Sequence, residues 1–134
     1  MRGGGGGNEF RDAQPVPGET RIGRIVVRAG ALVDSIATSY VHSDESATTL
    51  SHGGSGGIAN IVNIAPNERI VAVIGRSGSL LDSLGFVIEN LAGVRRQAGP
   101  FGGQGGAPFS LSGNVVSFFG RSGSMIDALG CVVT

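Results

Sequence analysis

The sequence predicts an all-β domain built from three copies of one supersecondary unit. Two short motifs alternate along its 134 residues, and each occurs three times. Five-residue clusters with at least four glycines occupy positions 3–7, 53–57 and 102–106, and a G-x-x-x-D segment follows each cluster, at 30–34, 78–82 and 123–127. The clusters begin 50 and then 49 residues apart, which indicates an internal repeat. Because each unit is too small to bury a core alone, we expect the three to close on one another.

The strands are predicted from period-two runs rich in β-branched residues, each bounded by glycine, asparagine or serine. Such runs lie at residues 22–28, 58–64, 69–74, 86–89 and 115–119. No segment carries an apolar stripe with helical spacing, and the 25 glycines disfavour helices throughout the chain. Every regular element is therefore predicted to be a strand.

Each G-x-x-x-D segment is predicted to be a hairpin-like connection. The first lies between strands at 25–28 and 35–39, and the second between strands at 71–74 and 86–88. Glycine supplies the unusual backbone angles of a tight turn, and aspartate tolerates turn geometry. Three units of about four strands each predict three small antiparallel sheets around one axis, an arrangement with few exposed edges.

The segments outside the repeat are short, so residues 1–134 are predicted to form a single domain. Residues 12–19 contain Pro15 and Pro17 and are predicted to form a surface loop. Residues 43–49 are predicted to form a polar connection. The single cysteine, Cys131, cannot form an internal disulfide and is predicted to be a buried, inert thiol.

The charge of the chain argues against a nucleic-acid or anionic membrane partner. Ten basic and ten acidic residues cancel, so no field attracts a polyanion. The basic pair Arg95 and Arg96 is interpreted as a solvated turn. No apolar run approaches the ~20 residues of a transmembrane helix, and no signal peptide is visible. We therefore expect a cytoplasmic protein, or one secreted by a non-classical route.

The glycine clusters are interpreted as binding loops rather than linkers, because they fall at the same phase of three repeats. Without side chains, a ligand can approach backbone N–H groups directly. One aspartate in a turn would be explained by local capping, but three at the same position indicate a repeated acceptor. A carboxylate offers about four acceptor positions, which suit two neighbouring hydroxyls. These groups predict a shallow, weak site for a monosaccharide.

The spacing also predicts which loops meet. Asp34 precedes the second cluster by 19 residues and Asp82 precedes the third by 20, about the length of an antiparallel return. Asp127 has no following cluster, so a closed threefold arrangement would bring the first cluster to it. We therefore predict three carbohydrate sites. The first comprises Gly30, Ala31, Leu32, Val33 and Asp34 with Gly53, Gly54, Gly56 and Gly57; the second Gly78, Ser79, Leu80, Leu81 and Asp82 with Gly102, Gly103, Gly105 and Gly106; the third Gly123, Ser124, Met125, Ile126 and Asp127 with Gly6 and Gly7 of the cluster at 3–7.

Three segments resemble the jacalin-related lectin family, and the resemblance covers nearly the whole chain. Residues 120–130 are similar to the carboxyl-terminal signature of the family, and residues 52–57 and 99–106 match other typical segments. The resemblance implies the β-prism I fold, with three four-stranded Greek-key sheets related by a pseudo-threefold axis. It also implies sugar binding that is independent of calcium.

The position two residues before each aspartate bears on the ligand. Three intact motif pairs resemble griffithsin-like members of the family, but those members carry tyrosine where this chain has Leu32, Leu80 and Met125. Aliphatic residues there resemble the mannose-specific plant members, so mannose- or glucose-type glycans are the expected partners. If one site is degenerate, we expect it to be the Asp34 site, since Ala29-Gly30-Ala31 departs from the Arg-Ser-Gly-Ser of the other two, at residues 76–79 and 121–124. Weak single sites favour multivalency, and a homo-oligomer, dimer or higher, is expected.

Other classes of function fit less well. An enzyme is disfavoured because no nucleophile elbow with matching Asp and His is present, and His52 is interpreted as a loop-packing residue. One cysteine and two separated histidines give no metal-ligand spacing, so no metal or other cofactor is expected. Residues 54–59 match a dinucleotide fingerprint formally, but the segment that follows alternates like a strand. A β-prism module for protein interaction or targeting, without sugar affinity, remains the alternative.

Overall fold

The domain is built from β-strands. The structure, a computed structural model, describes residues 1–12 and 20–134. Its strands are β1 (Arg2–Gly3), β2 (Asn8–Arg11), β3 (Thr20–Ala29), β4 (Val33–His42), β5 (Ala47–Gly53), β6 (Ile58–Asn63), β7 (Glu68–Ser77), β8 (Leu81–Asn90), β9 (Arg95–Gly102), β10 (Ala107–Ser122) and β11 (Ile126–Val133). The predicted all-β class is confirmed. No helix long and apolar enough to cross a membrane occurs in these two ranges.

Hydrogen bonds join the described strands into two antiparallel sheets, so the prediction of three separate four-stranded sheets is wrong in this respect. One sheet has four strands in the order β5-β4-β3-β6. The other has seven, in the order β1-β11-β10-β7-β8-β9, with β2 also paired to β10. The cause is the 16-residue strand β10. Its residues 107–112 pair with β7, whereas residues 117–122 pair with β11.

At the boundary expected between two sheets, the register shifts inside one continuous strand. The pairing of β10 with β7 shifts register between Ser112 and Val115, beside Gly113 with its φ of 144°. The repeat persists in the pairing nonetheless. The order β5-β4-β3-β6 recurs as β9-β8-β7-β10 through the first half of β10, and as β1-β11-β10-β2 through the second half.

One hydrophobic core serves all three repeats. Alternate residues of the long central strands point inward, as period-two patterning requires, and the core includes Ile25 of β3, Phe86 of β8 and Phe118 of β10. The rings of Phe86 and Phe118 pack edge to face at 6.2 Å. Val33, Leu81 and Ile126, which open the strands carrying the three aspartates, are 0% exposed. Burial of these residues anchors each aspartate to the core.

The smaller sequence predictions have mixed outcomes. The predicted runs fall within strands, except that Ile64 lies just past the end of β6. Residues 47–49 belong to β5, so the polar connection is shorter than expected. The pair Arg95 and Arg96 lies on β9 rather than in a turn. The loop predicted at 12–19 lies outside the described residues except for Asp12. Cys131 is half-buried against the core, and this burial raises the pKa of its thiol.

Glu68 and Arg96 connect the two sheets at the end of the domain where β7 begins. Nε and Nη2 of Arg96 donate to the Glu68 carboxylate at 2.9 and 3.1 Å, and Nη2 also donates to the carbonyl of Asn63 at 2.6 Å. The Ala65 N–H donates to the same carboxylate at 2.9 Å. These hydrogen bonds lower the pKa of the Glu68 carboxyl group from 4.5 to about 2, and those from the Arg96 side chain have the largest effect.

Replacing Glu68 with glutamine is expected to lower the free energy of unfolding at neutral pH by about 1 kcal/mol or less, since the pair reaches solvent. The folded-state pKa is depressed, so the carboxylate stabilises the fold above pH 4.5 and loses this effect as the pH falls through about 2. Urea unfolding of both proteins should therefore differ most above pH 5 and converge towards pH 2. Glu45→Gln, at a carboxylate with no partner among the described residues, is the control. A difference independent of pH would contradict this assignment.

Candidate functional site

Each glycine cluster packs against the aspartate that the sequence spacing assigned to it. In each pair, the N–H of the second cluster residue donates to the backbone carbonyl of the aspartate at 2.9 Å. The donors are Gly54, Gly103 and Gly4, and the acceptors are Asp34, Asp82 and Asp127 respectively. The cluster at 3–7 thus reaches Asp127 near the other end of the chain, as threefold closure predicted.

Four of the five cluster positions exclude a side chain. At the first position φ is 103–129°, and an added Cβ would lie 2.2 Å from the aspartate carbonyl oxygen. At the fourth, a Cβ would lie 2.5–2.6 Å from Oδ2 of the aspartate. At the fifth, φ is 67–71° and a Cβ would lie 2.6–2.7 Å from Oδ1. At the second, a Cβ would lie 2.1–2.2 Å from a backbone carbonyl of another repeat. Glycine is therefore required at the first, second and fifth positions for the backbone to approach so closely, and at the fourth position it leaves room for the aspartate carboxylate.

The middle cluster position is different. A Cβ added at Gly5 would meet nothing within 4 Å. The corresponding positions of the other clusters carry Ser55 and Gln104, which are exposed. The pattern G-G-x-G-G therefore follows from the fold, which accommodates a side chain at the middle position and not at the other four.

Three arginines hold the clusters from the outer side, and none of them was predicted to be a site residue. Nε and Nη2 of Arg121 donate to the carbonyls of Gly6 and Gly7, both at 2.9 Å. Arg28 and Arg76 make the same pair of bonds to the fourth and fifth residues of their own clusters, at 2.8–3.1 Å. A planar trans peptide points its C=O and N–H in opposite directions. Each guanidinium therefore turns the N–H of the fifth glycine away from itself.

The presence of Arg28 changes the comparison between the three sites. The first repeat was ranked lowest because Ala29 and Ala31 replace serines. Its arginine, one residue earlier, is retained and makes contacts equivalent to those of Arg76 and Arg121. In all three repeats the arginine lies two residues before the glycine of the turn, and this shared position could have revealed Arg28 from the sequence.

The G-x-x-x-D segments form tight turns that end in the strand bearing the aspartate. In each turn the glycine N–H donates to the carbonyl two residues later, at 2.9 Å. The aspartate is the second residue of β4, β8 or β11. Exposure falls along the segment: the first two residues are exposed, the third is half-buried and the fourth is buried. The side chains of Val33, Leu81 and Ile126 lie in the core, so only their backbone can contribute to a ligand site.

The three carboxylates keep their acceptor capacity. Within residues 1–12 and 20–134, no protein group donates a hydrogen bond to the side chain of Asp34, Asp82 or Asp127, and none forms an ion pair with it. The N–H groups of the fourth and fifth cluster residues likewise have no acceptor in this part of the chain. Each site therefore presents unused acceptors on a half-buried aspartate beside unused donors on exposed cluster residues.

His52 anchors the start of the second cluster. Its Nε2 lies 2.7 Å from Oδ1 of Asp12, and its ring stacks on Phe10 with centroids 3.8 Å apart. Asp12 is 1% exposed and also accepts a hydrogen bond from the Tyr40 hydroxyl. The pKa of this hydroxyl is raised, mainly by burial and to a smaller extent by Asp12. These contacts fit the loop-packing role predicted for His52. The described residues contain no group of three or more His, Cys, Asp or Glu side chains that could hold a metal ion.

The chain is similar in sequence and fold to known proteins. Residues 1–132 match the model of the jacalin-like lectin domain. Horcolin from Hordeum vulgare is 33% identical over 116 residues, covering 81% of this chain and 74% of horcolin. A mannose-binding jacalin-related lectin from Ananas comosus superposes with a TM-score of 0.80 at 32% identity, covering 97% of this chain and 91% of the other. The mannose-binding lectin from champedak superposes with a TM-score of 0.84 at 27% identity, covering 99% and 92%.

These matches, taken with the repeated glycine and aspartate pairs, define the class of protein as an all-β lectin-type domain. The chain belongs to the jacalin-like lectin domain family.

Replacing Gly102 with alanine is expected to lower the free energy of unfolding by about 2 kcal/mol or more, because φ is 129° and the new Cβ would meet the Asp82 carbonyl at 2.2 Å. Urea denaturation followed by circular dichroism measures this change. Gln104→Ala is the matched control in the same cluster and should stay within about 0.5 kcal/mol of the wild type. Equal stabilities for the two variants would show that the close approach at Gly102 is not required.

Proposed function

We propose that the protein is a lectin that binds mannose- or glucose-type glycans through up to three sites per chain. The observation that carries this proposal is repeated three times: carboxylate oxygens lie beside backbone N–H groups, and neither has a partner among the residues that the structure describes. The proposed role is binding without turnover of the glycan.

The ligand chemistry follows from the hydrogen-bonding groups. The carboxylate of Asp127 accepts only, so it pairs with two hydroxyl donors, and the cluster N–H groups pair with hydroxyl or ring oxygens as acceptors. A vicinal diol on a pyranose supplies both kinds of group within a few ångströms. A net contribution of roughly 1.5–3 kcal/mol for each charge-assisted bond, offset by the loss of ligand freedom, gives a weak monosaccharide site.

The preference for mannose or glucose rests on the third turn residue and on the relatives. Leu32, Leu80 and Met125 are half-buried beside the aspartates, where an aliphatic side chain can cover a C–H face of a pyranose without the stacking surface of an aromatic ring. Two of the similar solved proteins are described as mannose-binding lectins. The sugar makes its contacts directly to protein groups in this proposal, so calcium is not required.

We propose that all three sites bind, with the Asp34 site the weakest. Arg28 supports its cluster as in the other repeats, but Ala31 lacks the hydroxyl that Ser79 and Ser124 expose at the tips of the other turns. Weak sites gain useful affinity when several act together. We therefore also propose a homo-oligomer, dimer or higher, as the form that binds branched glycans on surfaces.

The first test is a glycan array probed with the labelled wild-type protein. Binding to mannose-terminated glycans is expected, and about 100 mM free methyl α-mannoside should abolish it, since millimolar affinity for one site implies near-complete competition. Methyl α-galactoside at the same concentration is the matched competitor and should have little effect. An array without any signal would favour the alternative of a protein-interaction or targeting module without sugar affinity.

Asp127→Asn tests the mechanism at one site. Asparagine preserves the shape but removes the charge and turns one acceptor into a donor, so affinity at that site should fall by about 1 kcal/mol or more. Titration calorimetry with methyl α-mannoside should therefore report one site that is about fivefold or more weaker than in the wild type. Asp44→Asn, at an exposed turn carboxylate bonded to Ser46, is the control and should bind like the wild type. Unchanged stoichiometry and affinity in Asp127→Asn would assign the carboxylate a structural role.

A further inference from the structure

The second glycine of each cluster lies against the turn of a different repeat. A Cβ built on Gly4, in the cluster of the Asp127 site, would lie 2.2 Å from the carbonyl oxygen of Ser79 in the turn of the Asp82 site. In the same way, a Cβ built on Gly103 would lie 2.1 Å from the carbonyl oxygen of Ala31, and one built on Gly54 would lie 2.2 Å from that of Ser124.

These three contacts form a closed ring. The cluster of the Asp127 site touches the turn of the Asp82 site, whose own cluster touches the turn of the Asp34 site. The cluster of the Asp34 site then touches the turn of the Asp127 site. The three sites therefore lie at one end of the domain, and each is in backbone contact with both others.

We propose that Gly4, Gly54 and Gly103 are positioning residues, each for the carbohydrate site of the neighbouring repeat rather than only for its own. This inference rests on the proposed lectin function and goes beyond it. Each site then depends on a residue that is distant in sequence and contributes no group to the sugar at that site.

The physical reason is that nothing flexible can yield at these contacts. Each added Cβ would meet backbone atoms, and contacts between carbon and a carbonyl oxygen are normally about 3.3 Å or longer. The turn or the cluster must therefore shift by about 1 Å. Ser79 lies inside the turn closed by the bond from the Gly78 N–H to the Leu80 carbonyl, three residues before Asp82. A shift of that turn moves the residues that flank the carboxylate, while the hydrogen bond from the Gly4 N–H to Asp127 uses backbone atoms that alanine retains.

The adjacent residues Gly4 and Gly5 provide a matched pair for the experiment. Both substitutions add one methyl group to the same cluster, but only the one at Gly4 meets another repeat, and Gly5 meets nothing within 4 Å. Each variant would be titrated with methyl α-mannoside, and the backbone amide signals in ¹⁵N-correlation NMR spectra would give a separate dissociation constant for each site. In Gly4→Ala, affinity at the Asp82 site is expected to fall about tenfold or more, because displacement of a positioning group by about 1 Å can cost up to a hundredfold. The Asp34 site should keep the wild-type affinity, and Gly5→Ala should match the wild type at every site.

The ring also fixes the pattern for the other two variants. Gly54→Ala should weaken the Asp127 site and spare the Asp82 site, and Gly103→Ala should weaken the Asp34 site and spare the Asp127 site. General destabilisation would not weaken a different site in each variant in the order of the ring. The pattern therefore distinguishes a positioning role from a loss of stability.

Each outcome bears on the inference. Unchanged affinity at the Asp82 site in Gly4→Ala, with a wild type that binds, would overturn it and leave the lectin function intact. A wild type that binds no glycan would overturn the lectin function, and this inference with it. If all three alanine variants were unfolded while Gly5→Ala remained folded, the contacts would be requirements of the whole fold rather than positioning contacts, and the inference would also be overturned.

Discussion

The close approach of each glycine cluster to the strand that carries its aspartate is the constraint on which the rest of the structure depends. The backbone of the cluster lies so near the aspartate that a Cβ would collide with that residue at three of five positions, and at a fourth position it would meet the turn of another repeat. The bond from the second cluster N–H to the aspartate carbonyl, 2.9 Å in every repeat, fixes the distance. Glycine loses more conformational freedom on folding than other residues, so twelve obligatory glycines are costly unless the rest of the fold holds them. The buried residue before each aspartate and the arginine outside each cluster provide that support.

The same constraint creates the chemistry of the sites. Side chains that would normally cover the backbone are missing, so N–H groups of the cluster stay accessible beside a carboxylate that no described protein group pairs with. Arg28, Arg76 and Arg121 occupy the carbonyls on the opposite side. Each cluster therefore shows donors to one side and has its acceptors satisfied on the other. Polar groups that are already arranged in this way suit the proposed sugar ligand, because the loop would not have to reorganise on binding.

Much of the arrangement could be predicted from the sequence because the chain repeats. Period-two runs predicted the strands, and the spacing between aspartates and clusters predicted which loops meet, including the closure between residues 3–7 and Asp127. The number of sheets could not be predicted, because β10 continues through a register shift beside Gly113 that leaves no periodic signal in the sequence. The arginines were missed because a single exposed cation has many local explanations, and only the structure brings its guanidinium to carbonyls about thirty residues away or more. Val33, Leu81 and Ile126 share a motif with the aspartates, yet they face the core, since successive residues of a strand point to opposite sides.

By itself, the sequence determined the class of fold, the threefold repeat and the residues of each cluster and turn, since these depend on local backbone preference and on the period of apolar residues. The tertiary structure alone decided which repeat touches which at the end of the domain. The contacts of Gly4 with Ser79, of Gly103 with Ala31 and of Gly54 with Ser124 join positions 70 or more residues apart in sequence. In the sequence, such a contact is visible only as a glycine. The glycine indicates that a side chain is excluded, but it does not identify the group that excludes it.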